Sequence, residues 1–332
     1  NSGTVTISGG TVCNVTVGDG AAVNVSGGTG HAGTWYNDGT LNITGGTFGN
    51  VRFRNNGGTI AISGGTFDTI TNTNGSGSIP LMPLLADNYA FYKGDNAQNS
   101  TEKTLTNVTV RPHTHSFENG KCDCGASYVA SVTASGGEST NYTSLDDALD
   151  AVKDGDTVTL LSDAKITRWP SLSKAFTLEL NGKTATTQSK AELYLHARVT
   201  VQDSSNGKTG GMAGTALLNV QSNGDLIIKS GTFNGRIAMN DGKLTIKGGT
   251  FNQEVDLPRG DSDSVFFSGG TFANIWYPNS SGSFLDLLAD GCAFYDNDGK
   301  LVNAAEITDR YLYNVHIGTH AHSFTGGAGA CG

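Results

Sequence analysis

Positive charge is scarce in this chain: 21 Lys and Arg stand against 30 Asp and Glu, and charged residues of both signs make up only 15% of the 332. An acidic, charge-poor surface leaves no electrostatic footprint for nucleic acid and no polybasic patch for anionic lipid. No apolar run reaches the length of a membrane-spanning helix, so direct membrane insertion is not expected of this stretch. Five cysteines are too few, and odd in number, for a disulfide-stapled scaffold. The compartment therefore has to be argued from architecture. Helix-favouring stretches are rare as well. Asn1 falls in the middle of a repeat, so the reading is of a fragment of something longer, with any signal peptide outside it.

Glycine is abundant, at 47 residues, against 6 prolines. A disordered Gly-rich chain lacks regular apolar spacing. Here Val, Ile, Leu and Phe sit in short alternating runs, which points to many short strands joined by tight turns. One phrase recurs: Ile7-Ser8-Gly9-Gly10-Thr11, Val25-Ser26-Gly27-Gly28-Thr29, Ile43-Thr44-Gly45-Gly46-Thr47-Phe48 and Ile62-Ser63-Gly64-Gly65-Thr66-Phe67. It returns at Ile228-Lys229-Ser230-Gly231-Thr232-Phe233, Ile246-Lys247-Gly248-Gly249-Thr250-Phe251 and Phe267-Ser268-Gly269-Gly270-Thr271-Phe272. Its threonines are spaced by 18, 18 and 19 residues in the first set and by 18 and 21 in the second. A short fixed period of this kind marks a solenoid.

Alternation within a coil buries one face, and the Gly pair permits a sharp change of direction. One coil cannot bury its apolar row alone; stacking at about 4.8 Å closes the backbone ladder and aligns identical residues. Left-handed β-helices also use 18 residues per coil, but with a stricter hexapeptide pattern. One Gly-Gly turn per coil and tolerance of longer periods favour an all-β, right-handed parallel β-helix. The regular intervening turns argue against an amyloid-like stack.

A longer similarity overlies the short one. Leu84-Leu85-Ala86-Asp87-Asn88-Tyr89-Ala90-Phe91-Tyr92 matches Leu287-Leu288-Ala289-Asp290-Gly291-Cys292-Ala293-Phe294-Tyr295, Asn107-Val108-Thr109-Val110 matches Asn314-Val315-His316-Ile317, and His113-Thr114-His115-Ser116-Phe117 matches His320-Ala321-His322-Ser323-Phe324. Two tandem modules follow. Residues 1–110 form the C-terminal part of a first β-helix, 111–127 a His/Cys-containing linker, 128–317 a second β-helix, and 318–332 a partial repeat of the linker. Residues 144–152 are expected to form an amphipathic helix with Ser144 as N-cap and Asp146 and Asp147 in its first turn. A helix followed by Asp154-Gly155-Asp156 and a strand resembles the N-terminal cap of right-handed β-helix proteins. The Leu-Leu-Ala-Asp segment is the expected C-terminal cover, followed by a hairpin through residues 296–299.

The Ile-Ser-Gly-Gly-Thr-Phe coils, the Leu-Leu-Ala-Asp segment and the His-x-His…Cys-Gly tail, in fixed order, resemble large repetitive, adhesin-like surface proteins of Gram-positive, often gut-dwelling, bacteria. The resemblance covers nearly the whole chain. It implies secretion, an extracellular place on the cell surface and wall attachment elsewhere in the parent protein, and it names no ligand.

His113, His115, Cys122 and Cys124 are a donor set for tetrahedral Zn²⁺. Cysteines at i and i+2 make a poor local disulfide, yet zinc spacings usually leave two to four residues between cysteines, and the second copy has Gly329 in place of Cys122. The competing reading is a linker without an ion. Cys13 and Cys292 sit in strand-like contexts and read as buried structural residues. Asp261 and Asp263, or Asp296 and Asp298, offer Ca²⁺ carboxylates, but setting Gly299 at the fixed glycine of a calcium loop puts Ala305 where its bidentate Glu belongs; solvated turns are the simpler reading. Trp35, Tyr36, Trp169, Trp276 and Tyr277 are the carbohydrate-contact candidates, set against packing under loops.

Three functions compete. The first is a non-enzymatic binding or spacer module that contacts a host or microbial glycan or surface protein, gains avidity from repetition and requires no cofactor. The second is a polysaccharide lyase or glycoside hydrolase, for which Glu179, Asp203 and Arg198 are near one another but form no recognisable signature. The third is a self-associating fibre subunit.

Overall fold

The computed structural model of the chain describes residues 3–74, 77–86, 88–118, 121–168, 170–187, 192–258, 264–279, 282–303, 307, 309–320, 324–325 and 328–329. The protein is a parallel β-solenoid divided into two compact units, Asn1–Ser127 and Tyr128–Gly332.

In the first unit the strands Thr4–Ile7, Ala22–Val25, Thr40–Ile43 and Thr59–Ile62 stack in parallel. The register puts Ile7, Val25, Ile43 and Ile62 above one another, the column that recurrence of the phrase demands. After the glycine turn the chain enters a second wall, where Thr11, Thr29, Thr47 and Thr66 align. There Phe48 and Phe67 stack with centroids 5.0 Å apart, close to the spacing between neighbouring strands. Thr47–Asn55 and Thr66–Asn74 run on through a corner that earlier coils break into shorter strands, such as Gly33–Asn37.

Both glycines of the phrase are required, for different reasons. The second takes positive φ, +107° at Gly65 and +108° at Gly249. The first is held by contact between coils: a Cβ on Gly64 would lie 2.1 Å from the backbone oxygen of Thr44, one coil below. Ser230 replaces the first glycine in one coil, and its hydroxyl there donates to Asp203 O and accepts from Asp203 N.

The second unit repeats this plan. Thr157–Leu160, Phe176–Glu179, Arg198–Gln202, Asp225–Ile228, Lys243–Ile246 and Val265–Phe267 form one parallel wall. Thr184–Thr187, Gly211–Val220, Thr232–Met239, Thr250–Asp256 and Gly270–Trp276 follow one another in the other. Phe233, Phe251 and Phe272 form a continuous stack at 5.0 and 4.8 Å, with nearly parallel rings. The expected cap helix spans Leu145–Ala151, and Ser144 Oγ accepts from Asp147 N. Leu145, Ala148 and Leu149 are buried beneath it.

Each series of coils ends differently from expectation in one respect. The Leu-Leu segment does form a short 3-10 turn, Met82–Leu84 and Phe284–Leu287, which buries Leu84, Phe284 and Leu287 under the last coil. Asp87 lies outside the described residues. The wall itself is closed by an antiparallel strand: Thr104–Pro112 pairs with Thr66–Asn74, and Tyr311–Thr319 pairs with Gly270–Trp276. Asn107 and Asn314 each adopt φ +53° within those strands, which accounts for the shared asparagine of the long similarity. The start of the second unit is closed in the same manner by Ala130–Thr133, antiparallel to Thr157–Leu160. A turn of strand direction satisfies the terminal backbone groups without offering another parallel rung. Among the described residues, no helix is long and apolar enough to cross a membrane.

Candidate functional site

The segment expected as a linker packs within the first unit. Beyond the closing strand, burial alternates from His113 to Glu118: His113, His115 and Phe117 are half-buried, while Thr114, Ser116 and Glu118 are exposed. Extended backbone sends alternate side chains to one side, so both imidazoles face the same way. Glu118 and Lys121 then exchange both backbone hydrogen bonds, at 2.9 and 3.1 Å. The returning arm carries Cys122 and Cys124, both buried, with Asp123 exposed between them. Gly125 N donates to Cys122 O and Cys122 N to Ala126 O, while Gly125 adopts φ +87°. The C=O of Cys124 accepts from Ser100 N, at 2.8 Å, which fastens this arm to the unit.

The four side chains meet. His113 Nε2 lies 3.0 Å from Cys122 Sγ, His115 Nδ1 lies 3.4 Å from Cys124 Sγ, and one donor atom from each residue lies within 4.8 Å of all the others. The other nitrogen of His113, Nδ1, is 2.6 Å from the hydroxyl of Tyr92. Arg111 covers the Tyr92 ring at 4.0 Å and pairs with Asp95. Burial pushes the Cys124 thiol up to about 11, reinforced by neighbouring Cys122. Burial also lowers His115, and the charge of His113 acts in the same direction. Of the second copy, His322 and Cys331 lie outside the described residues. Its Tyr295 hydroxyl lies 3.1 Å from His320 Nδ1, the counterpart of the Tyr92 contact.

The aromatic candidates divide. Trp35 is 0% exposed and packs edge-on against Phe48 and Phe53, and Tyr277 is 1% exposed against Phe284. Neither has a face for a sugar; both fill the core, as Asn72 does at the position equivalent to Tyr277. Trp169 lies outside the described residues. Tyr36, adjacent to Trp35, points outward with Arg54 beside its ring at 5.8 Å. Trp276 is half-buried on the outer wall and continues into an aromatic row not foreseen from the sequence: Tyr311 at 6.2 Å and Tyr313 at a further 5.6 Å, with rings 21° and 14° apart. Tyr313 is 53% exposed. The row is assembled across strands. Asp256, Trp276 and Tyr311 share one register line, and Glu254, Asn274 and Tyr313 another. Arg236 bonds Asp256 at 2.9 Å, and Asn274 Nδ2 donates to Glu254 at 3.2 Å. Desolvation raises the Tyr311 phenol, and the nearby Glu254 carboxylate adds to the shift.

No family model, curated protein or solved structure matches the chain. Glu179 accepts from Asn181 N, Ser204 N and the Gln202 amide. Asp203 accepts from Gly182 N, Ser205 N and Gly210 N. Arg198 is paired with Asp225 at 2.6 Å. All three are occupied in holding turns and coils. Asp296 accepts from Asp298 N and Lys300 N through one oxygen, at 3.0 and 2.8 Å, so its turn is organised by its own backbone. Asp261, Asp263 and Ala305 lie outside the described residues. Cys13, expected to be buried, is exposed: it follows inward-facing Val12, so strand alternation turns it outward. Cys292 is half-buried, with its thiol 3.8 Å from Ser268 O.

Proposed function

We propose that this protein is a non-enzymatic binding and spacer module of a bacterial surface protein, extracellular and adhesin-like, and that it holds a neutral oligosaccharide against the wall carrying Trp276, Tyr311 and Tyr313. The observation that carries the reading is the aromatic row itself. Three rings on two adjacent strands form a partly exposed apolar surface for a sugar chain, with Glu254 and the Arg236–Asp256 pair at its margin. The Gram-positive, cell-surface assignment rests on the resemblance of the coil phrase and tail motif. The occupied state of Glu179 and Asp203 favours binding over polysaccharide cleavage, because a glycosidase needs two carboxylates available to the scissile bond.

The test is a binding screen of the full chain against immobilised plant, host and microbial oligosaccharides. Trp276→Ala and Tyr313→Ala are each expected to weaken the retained ligand about three- to ten-fold, with the circular dichroism spectrum unchanged. Equal binding by both variants would remove the aromatic wall from the account. Release of unsaturated or reducing sugar from any bound polysaccharide would make the protein an enzyme.

A further inference from the structure

We infer that His113, His115, Cys122 and Cys124 hold one structural Zn²⁺, which ties the segments 113–118 and 121–126 to each other beside the closing strand of the first solenoid. Three observations converge on it. The first is the donor set, two imidazole nitrogens and two sulfurs, which suits tetrahedral zinc. The second is distance. Zinc bonds of about 2.0 Å to nitrogen and about 2.3 Å to sulfur place neighbouring donors roughly 3.3–3.8 Å apart in a tetrahedron. The measured contacts of 3.0 and 3.4 Å, with every pair inside 4.8 Å, need only small side-chain adjustments to reach that shell. The third is the outer shell. A ligating histidine normally engages its second ring nitrogen; His113 offers Nε2 to the cluster while Nδ1 meets the Tyr92 hydroxyl, whose ring is in turn held under Arg111.

The packing leaves a task for the ion. The fully buried apolar cluster around this segment consists of Ala90, Cys122, Cys124 and Ala126, with Met82, Tyr92, Ala97 and Phe117 partly buried against it. Its fully buried members are all small, so the free energy released on burial is modest beside the entropy lost in ordering the segment. A metal that binds the folded arrangement alone adds its binding free energy to the fold. The Cys-x-Cys and His-x-His spacings also make sense here. The histidine arm alternates, so residues two apart share a side, while the tight turn closed by Gly125 N to Cys122 O brings the two cysteines together on the returning arm.

The experiment uses the full chain, purified under reduction and stripped of metal. Zn²⁺ titrated against a competing chelating dye is expected to bind at this site with a dissociation constant below about 100 nM. Co²⁺ in its place should give the visible absorption of a tetrahedral ion and a near-ultraviolet thiolate-to-metal band. Cys122→Ser with Cys124→Ser should lose both signals, whereas Cys292→Ser keeps them. Should the double variant misfold, the wild-type Co²⁺ spectrum still decides: octahedral absorption without a thiolate band overturns the proposal. So does a Cys122–Cys124 disulfide in non-reduced protein that resists reduction and excludes zinc.

Discussion

Asp203 illustrates how single residues hold this solenoid at its corners. Its carboxylate is buried, which opposes ionisation, but hydrogen bonds from Ser205, Gly182 and Gly210 outweigh that and hold its pKa below the ordinary carboxylate value. The folded state thus binds this proton less readily than the unfolded chain. The resulting stabilisation is complete above the unfolded pKa of about 3.9 and disappears as pH falls through the lower folded value. Urea unfolding of wild type across that acid window is expected to show stability falling with pH. Asp203→Asn should be less stable at neutral pH and should lose part of that dependence; identical slopes for the two proteins would deny Asp203 this role. Residue identity was legible here and residue use was not. Glu179, Asp203 and Arg198 were seen as neighbours, but only coordinates reveal that turn N–H groups occupy the carboxylates. Trp35 and Tyr36 make the same point. Alternation requires one in and one out, and the neighbouring coil decides which.

Among elements, the closing strands carry the most consequence. Val110 is buried, and its N–H donates to Gly65 O at 2.9 Å, across the end of the parallel wall. Val110→Pro deletes that bond and perturbs a buried side chain, with an expected loss of about 2–4 kcal/mol from the first unit. It should also expose the edge of Thr66–Asn74, so light scattering is expected to report more concentration-dependent association than for the wild type. A variant that stays monomeric and fully stable would contradict the capping role. The coils were legible because strict spacing and paired glycines repeat; the cap helix was legible from Ser144 and its acidic first turn. The antiparallel return was not, since Thr104–Pro112 and Tyr311–Thr319 alternate like any other strand. The reversal is made by the return after Tyr89–Lys93 and Cys292–Tyr295, each antiparallel to the closing strand that follows it, and Tyr311 and Tyr313 escaped notice for the same reason.

For the whole molecule, the main hydrophobic clusters keep to one unit each among the described residues: Val15 through Val110 in one, Ala130 through Ile317 in the other. Calorimetry is therefore expected to resolve two transitions. Phe251→Ala, which opens the Phe233–Phe251–Phe272 stack, should destabilise the second unit by about 3–5 kcal/mol and leave the other transition in place. A single transition that shifts as a whole would show the units to be coupled. The sequence alone determined the period, the stacked columns of Ile, Thr and Phe, the division into two related modules and the identity of the four His and Cys donors, because each depends on local spacing or on glycine's freedom at a turn. Only the tertiary structure decided which aromatics face out, that Trp276 continues into Tyr311 and Tyr313, and that two arms nine residues apart bring imidazole to thiol. Those outcomes depend on how the chain turns back at the end of a stack, where the repeat that makes the rest readable has stopped.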